Sequence, residues 1–104
     1  MTWVRVADAG SAKPGTATVV ESGDRRIALC VTDTGCYAID DVCTHDGGSL
    51  DQGELDGNEI ECPRHGARFD VTSGKALTLP AVRPVKTYET REVDGAIEVN
   101  VPDD

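Results

Sequence analysis

Positive charge is what this chain has least of. Ten Lys and Arg stand against 19 Asp and Glu, for a formal net charge of −9, and no Lys or Arg falls between Ile27 and Pro63. A surface of that sign repels phosphate backbones and anionic membranes, which excludes nucleic acid and membrane as partners. A basic patch on another soluble protein suits it better, because opposite fields speed encounter. Long apolar runs are absent too. The longest is five residues, Ile27 to Val31, far short of the roughly 20 that a membrane-spanning helix needs. Met1-Thr2-Trp3-Val4-Arg5 has neither the basic stretch nor the apolar stretch of a secretory leader, so a cytoplasmic protein is expected. No repeat, linker or low-complexity tract divides the 104 residues, which predicts one domain with one modest core. A hydrophobic share of 38% together with 11 glycines is ordinary for a globular chain.

The helical period is missing as well. Apolar residues alternate with polar ones in short β-branched runs, punctuated by Gly, Asp and Pro, and the chain reads as all-β. Strands are predicted at Thr2 to Ala7, Thr16 to Glu21, Arg26 to Val31, Cys36 to Asp40, Glu59 to Glu61, Ala67 to Asp70, Val85 to Glu89 and Ala96 to Val101. Turns fall at Ser22-Gly23-Asp24, Asp33-Thr34-Gly35, Asp56-Gly57, Ser73-Gly74 and Asp94-Gly95. This spacing suits a small antiparallel sandwich or barrel. Asp41 to Asn58 is the one long stretch without strand character, and a loop of that length in so small a domain is usually functional.

Four cysteines in a leaderless chain point to metal or redox chemistry rather than to a disulfide framework. Cys43-Thr44-His45 is followed, after sixteen intervening residues, by Cys62-Pro63-Arg64-His65, and these are the only two histidines in the chain. A C-x-H pair and a C-x-x-H pair each let two side chains converge from one tight loop. Two thiolates with two imidazoles suit either a tetrahedral Zn²⁺ or an iron–sulfur cluster. Gly47 and Gly48 follow the first pair and Gly66 the second, so backbone N–H groups can approach closely and aim inward. A sulfide-bearing cluster requires this more than a lone zinc does.

Through Cys-Thr-His-Asp-Gly-Gly and Cys-Pro-Arg-His-Gly-Ala-Arg-Phe-Asp the sequence resembles the Rieske [2Fe–2S] family. The resemblance spans nearly the whole chain and implies one domain over residues 1–104, with a cluster-binding subdomain from about Val42 to Pro80. It makes Cys43 and Cys62 the ligands of one iron and His45 and His65 the ligands of the other. Pro80, in Leu79-Pro80-Ala81-Val82-Arg83-Pro84, matches the loop that covers the cluster's third side. With two thiolates and two neutral imidazoles the oxidised core is neutral and the reduced core singly negative. An all-thiolate cluster carries two more negative charges in each state, so Rieske potentials, about −150 to +300 mV, lie above the roughly −400 mV of plant-type ferredoxins.

Respiratory members carry an extra cysteine in each loop and a Ser and a Tyr that donate to the cluster region. The matching positions here read Gly48, Arg64, Ala67 and Phe69. All four departures imply a low-potential member, similar to the ferredoxin component of bacterial multicomponent oxygenases. The implied role is one-electron transfer from a flavin-dependent or related reductase to a terminal oxygenase, by a monomer that itself transforms no substrate. His45 and His65 are the implied exit, and reduction coupled to a proton at alkaline pH follows from the acidity of metal-bound imidazole. The small subunit of a nitrite reductase, a ferredoxin linked to iron–sulfur assembly, and a zinc-stabilised binding module are the alternatives.

Cys30 and Cys36 lie in the predicted hairpin from Ile27 to Ile39, where buried cysteines act as small hydrophobes, with a redox pair as the other reading. Nine carboxylates between Asp33 and Glu61, beside Arg64 and Arg68, are either a solvated surface or a docking surface. Trp3, Phe69, Leu50, Leu55, Tyr37 and Tyr88 are expected in the core.

Overall fold

The computed structural model describes residues 2–11, 13–44, 49–63, 66–79, 81 and 83–102. Its strands are β1 (Thr2–Asp8), β2 (Thr16–Ser22), β3 (Arg25–Thr32), β4 (Gly35–Asp40), β5 (Leu55–Asp56), β6 (Glu59–Glu61), β7 (Arg68–Asp70), β8 (Thr87–Tyr88), β9 (Thr90–Val93) and β10 (Ala96–Val101). Two 3₁₀ turns, Ala9–Ser11 and Leu50–Gln52, are the only helical elements among the described residues. None is long or apolar enough to cross a membrane.

Three antiparallel sheets result, in the orders β1-β10-β9, β2-β3-β4-β8 and β5-β6-β7. Hairpins follow the turn chemistry. Asp94 and Gly95 both take positive φ, 51° and 77°, between the paired residues Val93 and Ala96. That is the left-handed geometry that an Asp-Gly pair supplies at least cost.

The middle sheet serves two cores. Ile27, Ala38 and Tyr88 join Val99 and Val101 of the first sheet in one buried cluster. Ala28, Cys30 and Ile39 join Cys43, Leu50, Ile60, Cys62, Phe69 and Val71 in the other. Successive residues of β3 alternate between these two sides, which explains why Ile27 to Val31 is uninterruptedly apolar: both faces of the strand are covered. On the third sheet Leu55 pairs with Ile60, Ile60 with Phe69 and Phe69 with Ala76. This single apolar row packs on the second core, and Asp56, Glu59, Glu61 and Arg68 lie in the alternate rows.

Several expectations are revised. The stretch from Asp41 to Asn58 contains the 3₁₀ turn at Leu50–Gln52 and strand β5. The strand expected at Val85 to Glu89 shortens to β8, and β9 follows it in a different sheet. Glu89 is the crossing point, its carbonyl accepting a hydrogen bond from the Asn100 N–H at 2.9 Å. Trp3 lies outside both buried clusters, half-buried under the Arg91 guanidinium, 4.0 Å from the ring centroid. Trp3 lies on the opposite face of β1 from Val4, and it is Val4 that packs on the first core.

Candidate metal centre

β4 ends at Asp40, and the chain turns through Asp41 and Val42 to Cys43, which is 1% exposed. β6 ends at Glu61, and Cys62, also 1% exposed, follows at once. The Cys62 N–H donates to the Ala67 carbonyl at 2.7 Å and the Gly66 N–H to the Cys62 carbonyl at 3.0 Å, closing a tight loop at the tip of the β6–β7 hairpin. Gly66 takes φ 75° there, a conformation glycine reaches without strain. Both thiols thus enter the same buried core from two different loops. His45, Arg64, His65, Gly47, Gly48 and Pro80 lie outside the described residues. Among the described residues no three His, Cys, Asp or Glu side chains converge as a metal site.

A third segment closes on both loops through hydroxyl groups. Thr44 Oγ1 donates to the Arg83 carbonyl at 2.8 Å. Thr78 Oγ1 accepts from the Arg68 N–H at 2.9 Å, and the Leu77 N–H donates to the Arg68 carbonyl at 2.8 Å. Arg83 is therefore bound to the residue after Cys43, and Leu77 and Thr78 to the start of β7. Sequence reasoning missed Thr44 and Thr78. The first lies inside the C-x-H motif and could have been flagged, but the second has no motif and is found only through its contacts.

Two glycines set the approach of the backbone. A Cβ on Gly53 would sit 1.7 Å from the Glu61 carbonyl oxygen, and one on Gly74 would sit 2.1 Å from that of Val85. The first contact presses the turn after Leu50 against the residue preceding Cys62. The Glu61 N–H to Glu54 carbonyl bond, 2.9 Å, holds the same junction.

The remaining thiols behave differently. Burial and the nearby Asp41 charge push the Cys30 thiol up to about 12, which disfavours its thiolate. Cys30 pairs with Tyr37 and Val31 with Cys36. The two cysteines therefore occupy opposite faces of the sheet, and a disulfide between them is excluded. Ala67 and Phe69 are fully buried and carry no hydroxyl, so these two positions offer no side-chain donor. On the outer row Arg68 lies 3.5 Å from Glu59 and 3.7 Å from both Asp56 and Glu61. At such exposure each pair is worth little individually.

Buried thiols from two glycine-bounded loops, packed in one apolar core cluster, fit a sulfur-ligated inorganic centre. A buried thiolate is otherwise costly, and a bound cation offsets that cost.

Comparison with known proteins agrees with this geometry. A model of the Rieske [2Fe-2S] domain matches residues 2–89. The ferredoxin component of the naphthalene 1,2-dioxygenase/salicylate 5-hydroxylase systems of a Ralstonia species is 38% identical over 89 residues, 86% of either chain. The ferredoxin of carbazole 1,9a-dioxygenase from Nocardioides aromaticivorans IC177 superposes with TM-score 0.90 at 36% identity, covering 95% of this chain and 97% of that one. A chain in a complex of reduced oxygenase and oxidised ferredoxin in carbazole 1,9a-dioxygenase gives TM-score 0.89 at 36% identity, over 93% and 91%. Matched over residues 2–89 and similar over most of its length to ferredoxin components of dioxygenase systems, this chain belongs to the Rieske [2Fe–2S] family.

Proposed function

We propose that this ferredoxin carries single electrons from a reductase to the terminal oxygenase of a dioxygenase system, with Cys43, His45, Cys62 and His65 as the ligands of its cluster. When bound, the [2Fe–2S] cluster supplies a one-electron couple. Cys43 and Cys62 anchor it from the protein interior, and the C-x-H and C-x-x-H spacings put His45 and His65 on the same loops. Burial of both thiols in one core cluster is the observation that carries the assignment. It favours a fixed internal sulfur pair over a surface zinc clip.

The chain's own residues do three things. Thr44 and Thr78 tie Arg83 to the first cysteine loop and the segment after Leu77 to β7, which steadies the surroundings of both loops. Ala67 and Phe69 withhold hydroxyl donors, which supports a potential at the low end of the Rieske range, since each such bond would stabilise the more negative reduced state. Asp56, Glu59 and Glu61 give the outer side of β5-β6-β7 an acidic character, moderated by Arg68, which suits a basic docking face on a partner. Residues 42–80 act as the cluster-binding subdomain of a single domain, and the working compartment is the cytoplasm.

The test is anaerobic purification followed by iron, sulfide and zinc analysis, and EPR before and after dithionite. Two irons and two sulfides per chain with a rhombic signal on reduction are expected, followed by reduction with NADH and the reductase of an aromatic dioxygenase system. Stoichiometric zinc without sulfide would refute the assignment.

A further inference from the structure

We propose that Asp41 is a positioning residue for the first ligand loop, its buried carboxylate clasping together the two ends of residues 42–50. The proposal rests on the reading of Cys43 as a cluster ligand. Asp41 leaves the end of β4 with its side chain wholly enclosed. Its own N–H donates to the Arg26 carbonyl at 3.0 Å, which fixes its backbone to β3. Across the loop, the Asp51 N–H donates to Asp41 Oδ1 at 2.7 Å. Arg26 Nη2 stands 3.5 Å from Oδ2 and is itself held by Glu21, 2.8 Å from Nη1.

The far side of the clasp is equally firm. Asp51 belongs to the 3₁₀ turn Leu50–Gln52, and the first N–H groups of such a turn have no partner within it. Asp41 supplies the acceptor from ten residues upstream. Leu50, fully buried, seats that turn in the core that also holds Cys43 and Cys62. The chain therefore leaves the carboxylate, passes through Cys43 and the sequence position of His45, and returns to the same carboxylate.

An enclosed carboxylate has a large desolvation cost and persists only where its bonds are specific. Here its partners are the main-chain N–H at the loop's return point, the side chain of Asp51 itself and an arginine on the neighbouring strand. The geometry of this closure sets where the Cys43 sulfur lies, and the properties of a metal centre follow the orientation of its ligands.

Holoprotein variants separate the clasp from general packing. Asp41→Asn keeps an oxygen acceptor of the same shape. Asp41→Ala removes it, and Asp41→Leu removes it while filling the space. Expected for Asp41→Asn are wild-type EPR g-values and iron release to a chelator within about twofold of wild type. Expected for Asp41→Ala and Asp41→Leu are shifted or broadened g-values and release about tenfold faster, the factor that one hydrogen bond supplies. A lower melting midpoint with unchanged g-values in these two variants would mean a merely structural role and overturn the proposal. So would an Asp41→Asn protein as impaired as Asp41→Ala. If neither truncation folds, amide exchange at Asp51 in wild-type holoprotein decides: about 100-fold protection supports the clasp, and exchange at the unprotected rate overturns it. A wild-type protein that takes up no cluster would instead sink the reading of Cys43 on which the proposal stands.

Discussion

Gly53→Ala is expected to be among the most damaging small substitutions in this chain, although nothing in the conformation of Gly53 requires glycine. Its φ is −84°, a value any residue adopts. By conformational entropy alone, alanine there should stabilise by about 0.4–1 kcal/mol. The added Cβ, however, lies 1.7 Å from the Glu61 carbonyl oxygen and 2.9 Å from its carbon, while ordinary contact begins at 3.4 Å. Both partners are backbone, so no side chain can swing away. Separating them breaks the Glu61 N–H to Glu54 carbonyl bond, worth about 1 kcal/mol, and adds the roughly 1–3 kcal/mol of an overpacked site. Less the entropic gain, the net cost is about 1–3.5 kcal/mol. For a domain of this size that lowers the melting midpoint by about 5–18 °C. Because Cys62 follows Glu61, cluster uptake should fall as well.

Gly57→Ala is the control. Gly57 does take positive φ, 59°, but a Cβ there meets nothing within 4 Å, so the cost is the left-handed penalty of about 1–2 kcal/mol. Thermal scans of the two holoproteins, at one scan rate and without oxygen, compare them directly. If Gly53→Ala melts with wild type while Gly57→Ala falls below it, the close approach of the two loops is wrong.

Four further outcomes follow from the described contacts. Cys43→Ser and Cys62→Ser are each expected to abolish the visible absorbance of the reconstituted protein, whereas Cys30→Ala should retain it and lose about 1 kcal/mol in urea unfolding; a colourless Cys30→Ala protein would contradict the assignment of thiols. Thr44→Val leaves the Arg83 carbonyl without its donor, and bleaching in air should quicken by about three- to tenfold, the rate equivalent of roughly 0.5–1.5 kcal/mol. The Thr72 hydroxyl and N–H, 2.6 and 2.8 Å from Asp70 Oδ1, hold that carboxyl below its usual value. A depressed carboxyl stabilises the fold above its unfolded pKa of about 3.9 and loses that contribution as pH falls through its folded value; the deficit of Thr72→Val in urea midpoint should therefore shrink between pH 6 and pH 3.5. Raising ionic strength should slow electron transfer to the oxygenase if the acidic side of β5-β6-β7 steers docking, and a rate flat in salt would count against that role.

Much of the frame was legible because it is local. Glu59–Glu61 and Ala96–Val101 have the bounds their alternation predicts, and Asp94-Gly95 announces its hairpin by composition alone. The ligand motif was legible for the same reason, as each Cys and His pair falls within four residues. What could not be read depends on contacts distant in sequence. Val85 looks like strand, yet its N–H is taken by the Gly74 carbonyl, so β8 starts two residues later. Glu89 looks like the end of one strand, yet it is where the chain changes sheets. Asp41 reads as one more carboxylate in an acidic run until the fold encloses it, and Gly53 reads as an ordinary turn glycine until Glu61 is placed against it.

The register of the β3–β4 hairpin bears on how the chain avoids mispairing its thiols. Five residues separate Cys30 from Cys36 and six separate Cys36 from Cys43, and in an unfolded chain either short separation closes more readily than a pairing with Cys62. Once Val31 pairs with Cys36 and Cys30 with Tyr37, the two sulfurs point away from one another through the plane of the sheet. This hairpin needs only the two-residue turn Asp33-Thr34 and no metal, so it is available to a newly made chain still awaiting iron. Formed first, it keeps Cys30 and Cys36 from closing on one another. Protection against that one mispairing is then a matter of which side of a sheet each cysteine occupies.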